Sequence, residues 1–561
     1  MVGAVIKARL DALHAHFQQA VRATAMDSSD HILFFSCTDG HVRAQVQTFR
    51  ASNWDDAWNA GAAWLADMAQ QNHQSLRWLR VDVVLSMNQS HWGALKRLLT
   101  QVKRNYCRQG LSLDPHCHQA FLETELNANA MLYGGTKFPH CIVNERNFQR
   151  YAQLRHGLKQ VDFRDKTPVW LFSTRGFFSD SDQPDQVQEI AAEGRSAGRR
   201  IVESLDSGRL LHLIESGSYF LAGQVGEDGR FIYGWHPCFD REIKTYNSLR
   251  HASTSYAMIE AWEVTQNTCL WAAIERALGW LRREAIHIIN LPDGSQAAFV
   301  VDVGGEIKLG ANAVAILALT RHAAVTGSRE NLPLLEKLAL GIRHMQCSES
   351  GAFVHVLNYP DLSLKAAFRT IYYEGEAAFG LMRLYSLTQD GRWLQMVEKA
   401  FEHFIAQDHW QHNDHWLSYC VNELTRYRPE ERYFRFGIQN IRDYLDFVLG
   451  RITTFPTLLE LMMASQAMIE RIGEMPDMRH LLEEMDLPKF HRALHFRAHY
   501  LLNGYFWPEL AMYFANPQRT LGSFFIRHHA FRIRIDDVEH YLSGLIAYRQ
   551  MMLKAPSSIG E

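Results

Sequence analysis

The sequence predicts an α+β protein of more than one domain. An N-terminal α/β or α+β domain is expected over residues 1–180, followed over 190–553 by a closed ring of six helical hairpins, an (α/α)6 toroid. Three observations carry that expectation. At 561 residues the chain is too long for one ordinary core. Residues 1 to about 180 mix strand-like and helix-like signals. Beyond that point, position-matched turn residues recur at intervals of about 60 residues between helical patterns.

The first segment, Met1 to His14, is interrupted by Lys7, Arg9 and Asp11, which makes it an amphipathic helix and not the apolar core of a signal peptide. His31–Ser36, Leu76–Leu85 and Pro168–Ser173 read as strands, with helical patterns around Trp54–Gln71 and His91–Arg104 between them. No glycine-rich phosphate loop follows any of these strands. Asn127, Asn129, the turn Tyr133-Gly134-Gly135 and Asn144-Glu-Arg-Asn147 read as turn and capping chemistry, with a binding site as the competing reading. The polar, turn-rich stretch Phe178–Gln188 is the best linker candidate.

Helices then follow one another. Glu263-Val-Thr-Gln-Asn-Thr, Ala324-Val-Thr-Gly-Ser-Arg and Ser386-Leu-Thr-Gln-Asp-Gly each close an apolar helix and open an amphipathic one. The outer helices are Leu270–Leu281, Pro333–Ile342 and Trp393–Phe404, and a shorter unit pairs Asp414–Arg426 with Tyr433–Leu445. Six inner helices are expected: His251–Val264, Gly310–Val325, Glu374–Leu387, Asp414–Arg426, Pro456–Ile472 and Asp537–Met552. Gly208–Leu221 supplies the outer helix that closes the ring. Gly375, Ala377, Ala378 and Gly380 share the third inner helix with Phe379, Leu381, Leu384 and Leu387. Small residues of this kind let neighbouring helices approach on nearly every side.

Apolar residues make up 47% of the chain and charged residues 21%, the balance of an ordinary globular protein. Aromatic residues reach 12% with 14 Trp, which suits both large cores and rings that stack on sugar faces. A net charge of −3 offers no global attraction to nucleic acid. The eight cysteines form no CxxC pair and fit reduced thiols. No run reaches the roughly 18–20 apolar residues of a membrane span, and a cytoplasmic location is expected.

The stretch from Tyr373-Glu-Gly-Glu-Ala-Ala-Phe-Gly-Leu-Met-Arg-Leu-Tyr to Thr388-Gln-Asp-Gly-Arg-Trp-Leu394 resembles the six-hairpin carbohydrate-active superfamily. It looks like the helical domains of D-glucuronyl C5-epimerases and, more loosely, like N-acylglucosamine 2-epimerases and toroid glycosidases. The likeness covers residues 190–553 and lies in architecture. The paired histidines and arginines of a 2-epimerase do not stand in their usual local contexts. What the resemblance implies is a sugar-handling cleft, without a particular reaction.

In such a ring the N-termini of the inner helices crowd one rim of a central funnel, so residues distant in sequence converge there. Those positions hold His251, Asn312, Glu374 with Glu376, Asp414 with His415, and Asp536 with Asp537 and His540. A glycosidase needs two carboxylates, drawn from Glu374 or Glu376 and from Asp414 or Asp537. An epimerase needs a base and an acid, for which His251, His540 or Tyr373 are candidates. Helix-dipole and capping roles compete for the same carboxylates. Arg250 with Tyr246 ahead of the first inner helix, Lys308 and Asn312 at the second, and Trp416 at the fourth are the substrate-binding candidates. His409, His412 and His415 invite a metal reading, but their spacing matches no zinc motif, so no metal and no organic cofactor is assigned. The leading expectation is a sugar epimerase or glycoside hydrolase acting on a saccharide, including an acidic one. The alternative is a non-catalytic glycan- or partner-binding protein of envelope polysaccharide or polymer biosynthesis. An enzyme should gather at least two titratable groups with displaced pKa values in the funnel; a binding protein should not.

Overall fold

The computed structural model describes residues 2–22, 31–71 and 76–554. The chain divides into two compact units: Met1–Glu203 with Trp235–Glu242 and Asn503–Ile533, and Ser204–Gly234 with Ile243–Leu502 and Arg534–Glu561.

The first unit is built on a seven-stranded sheet in which every pairing is antiparallel. Its strands are β1 (His31–Thr38), β2 (Gln45–Ala51), β3 (Trp78–His91), β4 (Gly110–Ser112), β5 (Ala120–Phe121), β6 (Pro168–Asp180) and β7 (Gln183–Ile190). They run in the order β2-β1-β3-β6-β4-β5, and β7 pairs with β6. Five helices accompany them: α1 (Val2–Arg22), α2 (Trp54–Gln71), α3 (Trp92–Leu99), α4 (Glu123–Ala128) and α5 (Glu145–His156). Leu33, Phe35, Leu79, Val81 and Val83 alternate along β1 and β3 and pack with Leu13 and Phe17 of α1 and Trp58 and Leu65 of α2. A second core joins Trp92 and Leu95 of α3 to Phe121, Leu126, Phe148 and Tyr151.

On the other side of β3, Arg80 and Asp82 form a buried pair at 2.7 Å, and Arg80 donates to the Glu509 carbonyl. Glu509 in turn binds Arg200 at 2.6 Å, and the Tyr513 hydroxyl donates to Ser36. These bonds fasten the returning segment Asn503–Ile533 to the sheet. Two short strands, β8 (Gly234–His236) and β9 (Arg241–Glu242), pair Trp235 with Glu242 and His236 with Arg241. Asn144 caps α5, and the Asn127 and Asn129 side chains donate to backbone carbonyls, so the asparagine-rich stretches serve turns and caps. One expectation is corrected. Phe178–Gln188 is no linker; it is the tight hairpin between β6 and β7, with a register shift that accommodates the region of Pro184. Its exposed and half-exposed polar residues are those of an edge strand.

The second unit is the helical ring. Its helices are α6 (Ser207–Gln224), α7 (Ser248–Thr265), α8 (Thr268–Trp280), α9 (Leu309–Thr326), α10 (Leu332–His344), α11 (Tyr372–Thr388), α12 (Gly391–Ala406), α13 (His415–Leu424), α14 (Glu431–Arg442), α15 (Leu445–Gly450), α16 (Thr457–Glu474), α17 (Leu487–Tyr500) and α18 (Ile535–Lys554). Helices α7, α9, α11, α13, α16 and α18 pack each on the next, and α18 returns to α7, so the inner ring closes. Helices α8, α10, α12, α14, α17 and α6 lie against it as outer partners. The repeated turns end three inner helices with a left-handed cap at Gln266, Gly327 and Gln389.

Small residues set the spacing of the inner helices. A Cβ on Gly380 would stand 2.9 Å from the Ala313 carbonyl, and one on Gly375 2.6 Å from Asp414 Oδ2. Helix α9 has the length and hydropathy of a membrane span, but 78% of it is buried as an inner helix of the ring. A five-stranded antiparallel sheet, β10 (Ile286–Asn290), β11 (Gln296–Asp302), β12 (Glu306–Lys308), β13 (Val356–Asn358) and β14 (Leu364–Ala366), precedes α9 and α11.

Candidate active site

At 3.6 residues per turn, side chains two apart leave a helix about 200° apart. Glu374 and Glu376 therefore take different surroundings on α11. The Glu376 carboxyl presses on α9, where a Cβ at Gly310 would meet its Oε2 at 1.8 Å. That oxygen is buried without a hydrogen-bond partner. Burial, together with the nearby carboxylates of Asp414 and Glu539, pushes Glu376 well above the ordinary carboxylate range.

Around it gather groups from the three helices that continue the ring. On α18, Glu539 accepts from Ser253 of α7 at 2.6 Å, and burial pushes its carboxyl up to about 8. The next residue, His540, places Nδ1 2.8 Å from Glu460 of α16 and 3.9 Å from Glu539. Burial alone would lower its pKa, but those two carboxylates push the imidazole up to about 10. His540 is thus an imidazolium at neutral pH. Glu460 also accepts from the Tyr419 hydroxyl at 3.3 Å. On α13, the His415 ring stands 5.5 Å from that of His540, and its Nε2 is buried with no partner in the protein. Tyr372, 40% exposed, lies edge-on to His415 at 5.6 Å and is an open aromatic ring beside the pair.

The remaining sequence candidates are placed as follows. Asp414 caps α13, accepting from the backbone N–H groups of Trp416 and Leu417 at 3.1 Å each, and lies 3.2 Å from His415 Nδ1. Asp537 pairs with Arg534 at 2.9 Å, and Arg250 with Asp536 at 2.9 Å as well as with the Tyr233 hydroxyl. His251 is enclosed between α7 and α8, with Tyr246 on Nδ1 at 2.7 Å and the Ala277 carbonyl on Nε2 at 2.9 Å. Burial lowers its pKa to about 4, so it is a neutral wall residue. Asn312 is likewise internal; it accepts from Val300 N–H and donates to the Ala298 and Leu338 carbonyls. Lys308 pairs with Asp302. Trp416 is buried among Phe379, Tyr419 and His415. Tyr373 packs on His355, and burial with the adjacent Glu376 pushes its hydroxyl up to about 12.

Glu374 faces away from this group. It lies 3.1 Å from His409 Nδ1 and 3.6 Å from His355 Nε2; burial would raise it, but these imidazoles hold its carboxyl down at about 2. The histidine run of the sequence is therefore split: His409 joins Glu374, and His415 joins His540. Among the described residues, two groups have the spacing of a metal site, Glu374–His403–His409 and His415–Glu460–His540, each with its ligand atoms within 4.8 Å of one another.

Sequence reasoning reached Glu376, His415 and His540 through their place in the first turns of inner helices. It passed over Glu460, Glu539 and Tyr419. Tyr419 and Glu460 are single polar residues within apolar helix patterns, which by themselves carry no address. An acidic residue at the fourth position of α16 was the available signal.

No family model and no curated protein matches the chain. Solved structures do. Cellobiose 2-epimerase from Bacillus thermoamylovorans B4167 is 12% identical, with 62% of this chain and 99% of that one covered and a TM-score of 0.47. A D-mannose isomerase is 11% identical, with 62% and 100% covered and a TM-score of 0.46. The GH76A α-1,6-mannanase of Salegentibacter sp. HEL1_6 is 11% identical, with 62% and 100% covered and a TM-score of 0.31. These similar structures are a sugar epimerase, a sugar isomerase and a mannanase. At these identities and TM-scores they assign no reaction, substrate or residue role.

Proposed function

We propose that the chain is a carbohydrate-active enzyme that moves a proton on a sugar, an epimerase or isomerase, with His415 and His540 as the acid–base pair. The observation that carries this reading is the pairing itself. A buried imidazole nitrogen without a protein partner faces a second imidazole that two carboxylates keep protonated. One ring is free to take a proton from carbon while the other holds one to give. Glu460 orients His540 through Nδ1, and Glu376, raised by burial and the nearby carboxylates, has one oxygen without a protein partner for a sugar oxygen to meet.

Ring centroids 5.5 Å apart leave no room for a pyranose between them, so both imidazoles address one face of the ligand. That favours proton transfer between adjacent carbons of an open-chain sugar on one face, an aldose–ketose isomerisation; epimerisation with groups on one side requires the enediol to turn over between removal and return of the proton. Hydrolysis is less well supported. Among the described carboxylates of the site, Asp414 caps α13, Asp536 and Asp537 pair with Arg250 and Arg534, Glu460 pairs with His540, and the pKa values of Glu376 and Glu539 are raised, so each is already engaged or shifted towards its protonated form. The rim arginines 250 and 534 are matched by Asp536 and Asp537, so a neutral saccharide suits the site better than an acidic one.

The test is incubation of the protein with neutral reducing mono- and disaccharides in D2O, followed by proton NMR. New anomeric signals with deuterium on the carbon next to the carbonyl, absent with His415→Gln and His540→Gln, are expected. Cleavage of a glycosidic bond without carbon-bound deuterium would replace this reading by hydrolysis. Line broadening with no product from any sugar would replace it by a binding protein.

A further inference from the structure

We propose that Glu374, His403 and His409 form a site for a divalent transition metal of zinc type, separate from the acid–base pair, which ties the connection between α12 and α13 to the start of α11. Each of the three offers a ligand atom, and the atoms lie within 4.8 Å of one another. Glu374 Oε2 and His409 Nδ1 are 3.1 Å apart, and both are buried with no hydrogen bond, so proximity here is not hydrogen-bond geometry. Two ligands held 2.0–2.1 Å from a tetrahedral ion stand about 3.3 Å apart, close to that separation.

His355 supports the assignment from behind. Its Nδ1 accepts the backbone N–H groups of Arg369 at 3.0 Å and Thr370 at 3.4 Å, so in the neutral ring the proton sits on Nε2. Nε2 is aimed at Glu374 Oε1 across 3.6 Å. His355 therefore cannot offer a lone pair there; it orients one carboxylate oxygen and leaves the other, Oε2, to an ion. A fixed donor behind a ligating carboxylate is the usual outer support of a metal site. Two imidazoles and one carboxylate suit zinc among common ions, with one coordination position left for water.

The local backbone fits the same role. The segment between α12 and α13 turns through left-handed residues at Asp408 and Asn413, which present His409 on a short helical turn stacked on Phe404 at 5.2 Å. His403 comes from the last turn of α12, with its ring 5.4 Å from that of His409. A Glu374–His409 ion pair alone would account for the 3.1 Å approach; it gives no part to His403.

The experiment uses the full chain, stripped with a chelator, dialysed, and titrated with Zn2+ by calorimetry, with bound metal counted by elemental analysis. About one equivalent is expected, together with a zinc-dependent rise in Tm. His403→Ala and His409→Ala should each abolish stoichiometric binding, and His355→Gln should weaken it about 10–100-fold. His412→Ala and His415→Ala should bind as the parent does. The half-exposed His403 can be replaced without disturbing the core, and circular dichroism confirms folding of that variant. The proposal is overturned if the parent takes up no stoichiometric zinc, or if His403→Ala binds as the parent does. It is also overturned if binding is lost in His415→Ala while His403→Ala retains it, which would move the ion into the funnel.

Discussion

His251 and His540 both stand within the first turns of an inner helix, yet burial gives them opposite character. His251, closed in by Tyr246, Trp280 and the Ala277 carbonyl, is held neutral with a pKa of about 4. Its folded pKa lies below the unfolded value of roughly 6.5, so the unfolded chain binds more protons between them. Stability from His251 is present above the unfolded pKa and is lost as pH falls through about 4. His251→Gln should cost about 1–3 kcal/mol in urea unfolding and leave sugar-dependent proton exchange intact in the folded fraction.

His540 and Glu539 show the reverse sign. Their folded values, about 10 and about 8, are raised above unfolded values of roughly 6.5 and 4.3. The protons are bound more tightly in the folded state, so this stability is complete at low pH and lost as pH rises through those folded values. Thermal unfolding should weaken between pH 7 and about 10, and His540→Gln should flatten that alkaline limb. None of this shows in the sequence, because neither the enclosure of His251 nor the approach of Glu460 to His540 can be read until their neighbours in space are known.

At the scale of elements, the approach of α9 to α11 sets the position of Glu376. Gly310→Ala would drive a methyl group into the Glu376 carboxyl, at 1.8 Å, and onto Tyr373, at 2.7 Å. It should cost about 1–3 kcal/mol and reduce turnover together. Asn312→Ala, by contrast, removes bonds to β11 and α10 and should lower stability by about 1–3 kcal/mol without changing the rate per folded molecule.

The inner helices and their left-handed caps were legible because apolar helices and turn residues repeat in register: Thr-Gln-Asn after α7, Thr-Gly-Ser after α9, Thr-Gln-Asp after α11. The β6–β7 hairpin was not. Its exposed polar edge has the composition of a loop, and pairing to β6 through Phe177–Glu189 and Phe178–Gln188 is a property of two strands at once. The aromatic segment Tyr505–Phe531 was equally mute, since apolar residues between α17 and α18 do not state which core they join.

For the ring as a whole, closure is the source of both stability and site. Helix α18 packs on α16, on α6 and on α7, and it carries Glu539 and His540. A chain ending at residue 533 should lose the cooperative unfolding transition of the ring as well as all activity, because the exposed faces of α7 and α16 would have no partner. A chain that kept that transition by differential scanning calorimetry would show that the hairpins are stable without closure.

The most direct test of the acid–base pair is the rate of deuterium incorporation from D2O into a neutral reducing sugar, compared among the parent, His415→Gln and Asn312→Ala at equal folded concentration. Incorporation in the parent and in Asn312→Ala, with a loss of at least about 100-fold in His415→Gln, is the predicted result. Equal incorporation by parent and His415→Gln would contradict the assignment of His415 and His540 as the groups that move the proton.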